Sequence, residues 1–371
     1  MPRPLCRDIE TMAEPLPRRP MVRTLSQDHE RRPARPCGQP LLETQAPGHL
    51  RPAPAMARLP SRKKGLDRHG RILMDGTGAS SMAAAPGLTV IVPAVDDYPT
   101  VFEAIRAVED QTAVDRLELL LVVPSLAGFA APADFAARHP RARVVEAGRR
   151  ILLHEARAIG VREARAEWVF LLEDHCLPCP DCMEQLLNRI GEGTWSAVGP
   201  AIACGNRRSV SGKAANLLTY GEWMNCPEAG ERRYLTGYSS AWRRDALLLL
   251  GPAMDRELAI PSRLQERLRA RGGRLFFEPA AVMIHWEASS FWDISRILFR
   301  QGKGMGHVRH GHSTLPARLL ATIIVPLLAG HRTLRGIRAW RRGRAPWPAL
   351  LALPVFALVW SAGELLGYWT R

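Results

Sequence analysis

The chain has 371 residues, with 51 Lys and Arg against 36 Asp and Glu, a formal charge of +15. The excess sits at the two ends: residues 1–86 carry 15 basic and 8 acidic side chains, residues 87–314 carry 28 and 27, and residues 315–371 carry 8 and 1. A nearly neutral middle excludes the basic folded face that a nucleic-acid binder needs, and a basic tail beside apolar sequence points to anionic lipid.

Residues 1–81 are rich in Pro and Arg, poor in aliphatics and without helical or strand period. Such a stretch cannot bury enough apolar surface to offset its ordering entropy, so residues 1–84 are expected to be a disordered extension. A start of translation at Met82, directly before the first good strand, is the alternative. The seven cysteines are Cys6, Cys37, Cys176, Cys179, Cys182, Cys204 and Cys226. Their odd number, and the lack of an apolar core of signal-peptide length, predict reduced thiols in a cytosolic compartment.

Residues 88–92 (Leu-Thr-Val-Ile-Val) form a buried-strand run closed by Pro93. Thr100 with Glu103 fits a capping box, after which Val101, Phe102, Ile105 and Val108 share one helical face. Residues 117–123 read as a second strand, 142–146 as a third, 154–166 as a helix and 168–172 as a fourth strand running into Glu173-Asp174-His175. Asp181 with Glu184 caps a further helix, and residues 197–203 are a candidate fifth strand. Strands alternating with helices predict an α/β fold with a mixed, mostly parallel sheet between helices. Ligands in such sheets bind beyond the carboxyl ends of the strands, where Glu173, Asp174 and His175 stand.

The spacing Cys176-x-x-Cys179-x-x-Cys182, preceded by His175, is one at which thiolates can hold zinc. No second pair completes a tetrahedral set, and Pro178 and Pro180 make the segment a turn. The glycines of residues 302–306 follow no strand and lack the Lys-Ser/Thr ending of a phosphate loop. In residues 288–371 two apolar stretches stand out. Residues 319–330 are too short to span a bilayer, and residues 345–363 are just long enough but carry Pro346, Pro348 and Pro354. The Arg-rich stretch 331–344 between them is expected on the cytoplasmic side. A hairpin or interfacial anchor on the cytoplasmic face of the cell membrane is the first expectation, a true span the second, and a buried helical pair packed on the domain the third.

Five features of residues 85–287 follow the order found in family-2 glycosyltransferases of the GT-A fold. They are Thr89-Val-Ile-Val-Pro93 followed by Asp96-Asp97, then Asp110-Gln111-Thr112, then Ala156-Arg157-Ala158-Ile159-Gly160, then Phe170-Leu-Leu-Glu-Asp-His175, and last Gly237-Tyr-Ser-Ser-Ala-Trp-Arg-Arg244 with Pro279 and His285. The chain resembles that family, with Glu-Asp-His in place of its metal-binding Asp-x-Asp.

The resemblance implies a GT-A domain that moves a sugar from a nucleotide sugar, with inversion, to a membrane-proximal lipid or envelope glycan. Pro93, Asp96, Asp97, Arg157, Glu173 and Asp174 would face the nucleotide sugar, and Asp174, His175 and His285 would hold a divalent cation, Mn2+ or Mg2+. A cation bridging the departing diphosphate oxygens stabilises the charge that builds there. An imidazole in place of a carboxylate favours Mn2+ over Mg2+. Where the family carries its catalytic base this chain has Ile260 and Pro261, which leaves Glu257, and after it Asp255, as the candidates within reach of an acceptor hydroxyl. Where the family carries a base-reading aspartate pair it has Val123-Pro124-Ser125. A catalytically impaired nucleotide- or glycan-binding relative and a Cys-rich metal-binding module stand as rivals.

Overall fold

A computed structural model describes residues 73–74, 85–206, 208–224, 226, 228–310, 314–343 and 346–370. The expected disorder of residues 1–84 and the alternative start at Met82 lie outside the described residues, apart from the two-residue strand β1 (Leu73–Met74).

Strand β2 (Leu88–Pro93) is buried throughout and leads into helix α1 (Tyr98–Glu109). The cap of α1 is Asp97, not Thr100: Pro99 suits the first turn, and the Asp97 carboxylate accepts from the Thr100 backbone N–H and hydroxyl. Strand β3 (Leu117–Val123) follows, then the single turns α2 (Leu126–Phe129) and α3 (Phe135–Arg138), strand β4 (Ala142–Glu146) and helix α4 (Leu153–Glu163). Strand β5 (Trp168–Leu171) and the short β6 (Cys176–Pro178) precede α5 (Cys182–Gly191). Asp181 makes no side-chain cap there, and Glu184 instead accepts from the Thr112 hydroxyl.

Next come β7 (Ala197–Cys204), α6 (Val210–Tyr220), β8 (Gly230–Glu231), β9 (Ala241–Arg243), α7 (Arg244–Leu248), α8 (Met254–Leu258) and α9 (Pro261–Ala270). The long β10 (Leu275–His285) ends the sheet, and α10 (Phe291–His310), α11 (Leu315–Gly343) and α12 (Pro348–Trp369) close the described chain.

The strands form one sheet in the order β1-β4-β3-β2-β5-β9-β7-β10-β6, with β8 also on β10. Strands β4, β3, β2, β5, β7 and β10 run in one direction, while β1, β6, β8 and β9 oppose it. The alternation of side chains divides the core in two. Val90 and Val92 pack with α1, α5 and α12 on one face, and Ile91, Val169 and Leu171 with α4, α8 and α9 on the other. Gly160 lets α4 lie directly on β2, because a Cβ there would overlap Ile91. Gln111 bonds the Cys179 carbonyl and the Met183 amide, tying the end of α1 to α5.

Candidate functional site

Pairing at one edge of the sheet brings distant residues together. Strand β6 runs antiparallel to β10 with Cys176 opposite His285, and the Trp286 amide donates to the His175 carbonyl at 3.0 Å. His175 therefore stands beside His285, with ring centroids 4.9 Å apart. Glu173 lies in the turn before β6, where its carbonyl accepts from the Cys176 amide. One ligand atom from each of Glu173, His175 and His285 falls within 4.8 Å of the others, the one such group among the described residues.

Both imidazoles are tied through Nδ1. His175 Nδ1 lies 2.7 Å from Asp174, and His285 Nδ1 lies 3.1 Å from Asn216 Oδ1. Burial opposes a charged His175, but the bond to Asp174 and the charges of Asp174, Glu173 and Glu287 outweigh it and raise its pKa to about 9. His285 is the reverse: burial, then the charge on His175, push its pKa well below the ordinary value. The neutral ring lies against Tyr220 at 4.3 Å, and its buried Nε2 has no hydrogen-bond partner. Glu287 is pushed up to about 7 by burial, with His175 acting against the shift and Glu173 adding to it. An orphaned imidazole nitrogen beside a second imidazole and a carboxylate fits a divalent cation of the Mn2+ or Zn2+ type.

The other predicted residues separate into those at the cleft and those held elsewhere. Asp174 is bonded to His175, and the carboxylate in the converging group is that of Glu173. Asp96 sits near enough to feel it: burial first, then Asp174 and Asp97, raise its pKa. Asp97 is committed to capping α1, and Pro93 ends β2. Arg157 is 4% exposed, its guanidinium 3.5 Å from the centre of the Tyr238 ring and its Nε without a partner. Burial, with Arg157 acting against and Glu173 adding to it, raises Tyr238. Arg157 and Glu173 thus flank one ring, and a buried cation there can meet an anion.

The two candidate bases are held in ion pairs. Glu257 is 3% exposed and bonds Arg267 at 2.9 Å and Arg263 at 3.3 Å, while Asp255 pairs with Arg162 at 2.8 Å. Glu257 meets both arginines of α9 through Oε1 alone and its buried Oε2 has no hydrogen-bond partner, while the Asp255 pair with Arg162 of α4 is exposed to solvent. The cysteine spacing is structural. Cys176, Cys179 and Cys182 are buried, Cys182 donates to Met283 Sδ, and burial together with Glu173 pushes the Cys176 thiol up, so it stays protonated. Tyr238 lies inside the motif of residues 237–244 that the sequence already singled out, but Asn206, Asn216, Tyr220 and Glu287 were not found from the sequence. Only Glu287 left a signal there: it follows His285 at the same two-residue spacing that separates Glu173 from His175.

A mostly parallel sheet with an acidic and imidazole cluster beyond its carboxyl edge makes this an α/β protein with a candidate ligand site at the strand ends. Residues 89–247 match the family described as Glycosyl transferase family 2. Similar solved structures include the mannosyltransferase PcManGT from Pyrobaculum calidifontis in complex with GDP-Man and Mn2+, at 18% identity and a TM-score of 0.47, covering 77% of this chain and 89% of that one. Another is GalNAc-T7 with UDP, GalNAc and Mn2+, at 16% identity and a TM-score of 0.40, covering 54% of this chain and 43% of that one. No curated protein matches by sequence. The reading of the site rests on this chain's own residues.

Proposed function

We propose that the protein transfers a sugar from a nucleotide sugar to an acceptor at a membrane surface, with a divalent cation held by Glu173, His175 and His285. The observation that carries this is their convergence at the carboxyl edge of a family-2 domain. When bound, the cation would neutralise charge developing on the diphosphate oxygens. Asp174 holds the His175 ring through Nδ1, and Arg157, stacked on Tyr238, offers a second positive charge to the same anion. Glu257, whose Oε2 is left open beside its pair with Arg267, is the first candidate base for inversion and Asp255 the second.

The membrane part of the proposal rests on α11 and α12, which by length and composition can cross a membrane. Their arginine-rich connection favours the cytoplasmic face. The test is hydrolysis or transfer of a panel of nucleotide sugars with Mn2+ by full-length protein. Glu173→Ala and His285→Ala should lower turnover by more than the about 10–100-fold typical of losing an outer-shell partner. Full turnover in EDTA, or in both variants, would overturn the proposal.

A further inference from the structure

The least explained feature of the site is why a fully buried imidazole should be left with an open nitrogen. His285 is 1% exposed, and its Nε2 has no partner. The other ring nitrogen meets Asn216, which is wholly buried on α6. The amide of Asn216 can face only one way. Its Nδ2 lies 3.0 Å from the Gly212 carbonyl, which only accepts, and 3.1 Å from Asn206 Oδ1. Oδ1 must therefore be the atom against the ring, and His285 Nδ1 must carry the proton.

Asn206 is fixed in turn. Its Oδ1 accepts from the Glu287 amide at 2.7 Å and its Nδ2 donates to the Glu287 carbonyl at 2.8 Å, so its own orientation is set by main chain two residues past the histidine. Asn206 follows the end of β7, which pairs with β10 so that Cys204 lies opposite His285. The Glu287 main chain, Asn206, Asn216 and the ring thus form one chain of bonds in which every donor and acceptor is assigned.

We infer that Asn216, oriented by Asn206, is a positioning residue for the cation: it holds His285 as the Nδ1–H tautomer, turns the ring, and keeps the Nε2 lone pair open for the metal. This rests on the cation reading above. An outer partner of this kind sets both the tautomer and the basicity of a ligating imidazole.

The test uses the full-length protein, Mn2+ as the probe with free Mn2+ read by electron paramagnetic resonance, and nitrogen-15 histidine spectra of the metal-free protein. Asn216→Leu keeps the volume but offers no acceptor. It should lower Mn2+ affinity by about 10–100-fold and move His285 away from the pure Nδ1–H form. Asn216→Asp, which retains an oxygen against Nδ1, should recover most of the affinity and keep the tautomer, a rescue that a purely packing role would not give.

Wild-type affinity and an unchanged tautomer in Asn216→Leu would overturn the inference while leaving the cation site standing. If Asn216→Leu does not fold, the wild-type spectrum decides: an Nε2–H tautomer at His285 overturns it, and Nδ1–H supports it. Mn2+ binding that is unaffected by His285→Ala would remove the cation reading, and the inference with it.

Discussion

At the scale of single residues, the donor set decides which cation the site can take. Two imidazole nitrogens and one carboxylate are softer than a set of oxygens, and Mg2+ sheds its water for imidazole reluctantly. Mn2+, Co2+ and Zn2+ are therefore expected to bind, and Mg2+ in large excess should fail to displace Mn2+ in a competition followed by calorimetry. Equal binding of Mg2+, indifferent to His175→Ala, would show that the ligands are not these. The sequence made part of this legible. The acidic turn after β5 and the late histidine were visible because a strand end followed by polar residues stands out from apolar runs. What the sequence could not show was the partition within Glu173-Asp174-His175. Asp174 lies against His175 Nδ1 and Glu173 toward His285, and only the turn geometry decides that. Nor could the sequence show that Arg263 and Arg267, six and ten residues after Glu257, come back to its carboxylate on α9.

At the scale of elements, the legible strands, β2 to β5 and β7, keep a dense apolar run despite single breaks such as Glu118 in β3, Arg143 in β4 and Pro200 in β7. Strand β10 was missed because Glu278 and Pro279 interrupt it, and its register on β7 shifts between Glu278 and Val282; β6 and β9 are too short to carry a period. The glycines of residues 302–306, which make no phosphate loop, have a packing purpose. Gly302 and Gly306 of α10 face Gly363 and Gly367 of α12 so closely that a Cβ on any of the four would run into the opposite backbone, at Trp360 and Glu364 or at Phe299 and Lys303. Small residues four apart on both helices allow this approach. Gly304, between the first two, meets nothing. The two positions should respond with opposite signs in denaturant or thermal unfolding of the full-length protein. Gly306→Ala is expected to cost about 1–3 kcal/mol through overpacking, and Gly304→Ala to stabilise by about 0.5–1 kcal/mol through helix propensity. Matching shifts at both would mean that the helices do not touch there.

At the scale of the molecule, α6 joins the site to the C-terminal helices. It carries Asn216 and Tyr220 beside His285, and it also packs on α11 and α12, where Arg342 donates to the Gly221 carbonyl and Arg335 pairs with Glu222. The sequence showed two short apolar stretches; the structure extends them to helices of 29 and 22 residues. The extension passes charged residues because Arg332 of α11 is bonded to Glu364 and Ser361 of α12, so neither charge is left without compensation. Ala321, Val325 and Ala329 of α11 are buried, while Leu319, Leu320, Ile323 and Leu327 on its other side are more than half exposed. An exposed apolar face of this size, followed on the same helix by exposed Arg338 and Arg341, fits the interface of an anionic leaflet. The two contributions separate by salt, since charge attraction is screened within about 3 Å at 1 M and apolar burial is not. Full-length protein should float with phosphatidylserine-containing vesicles and stay bound at high salt. Leu320→Asp with Ile323→Asp should release it at high salt and leave only weak, salt-sensitive attachment at low salt. Release of the wild type by salt alone would reduce the hairpin to a basic patch, and the acceptor would then have to be sought in solution.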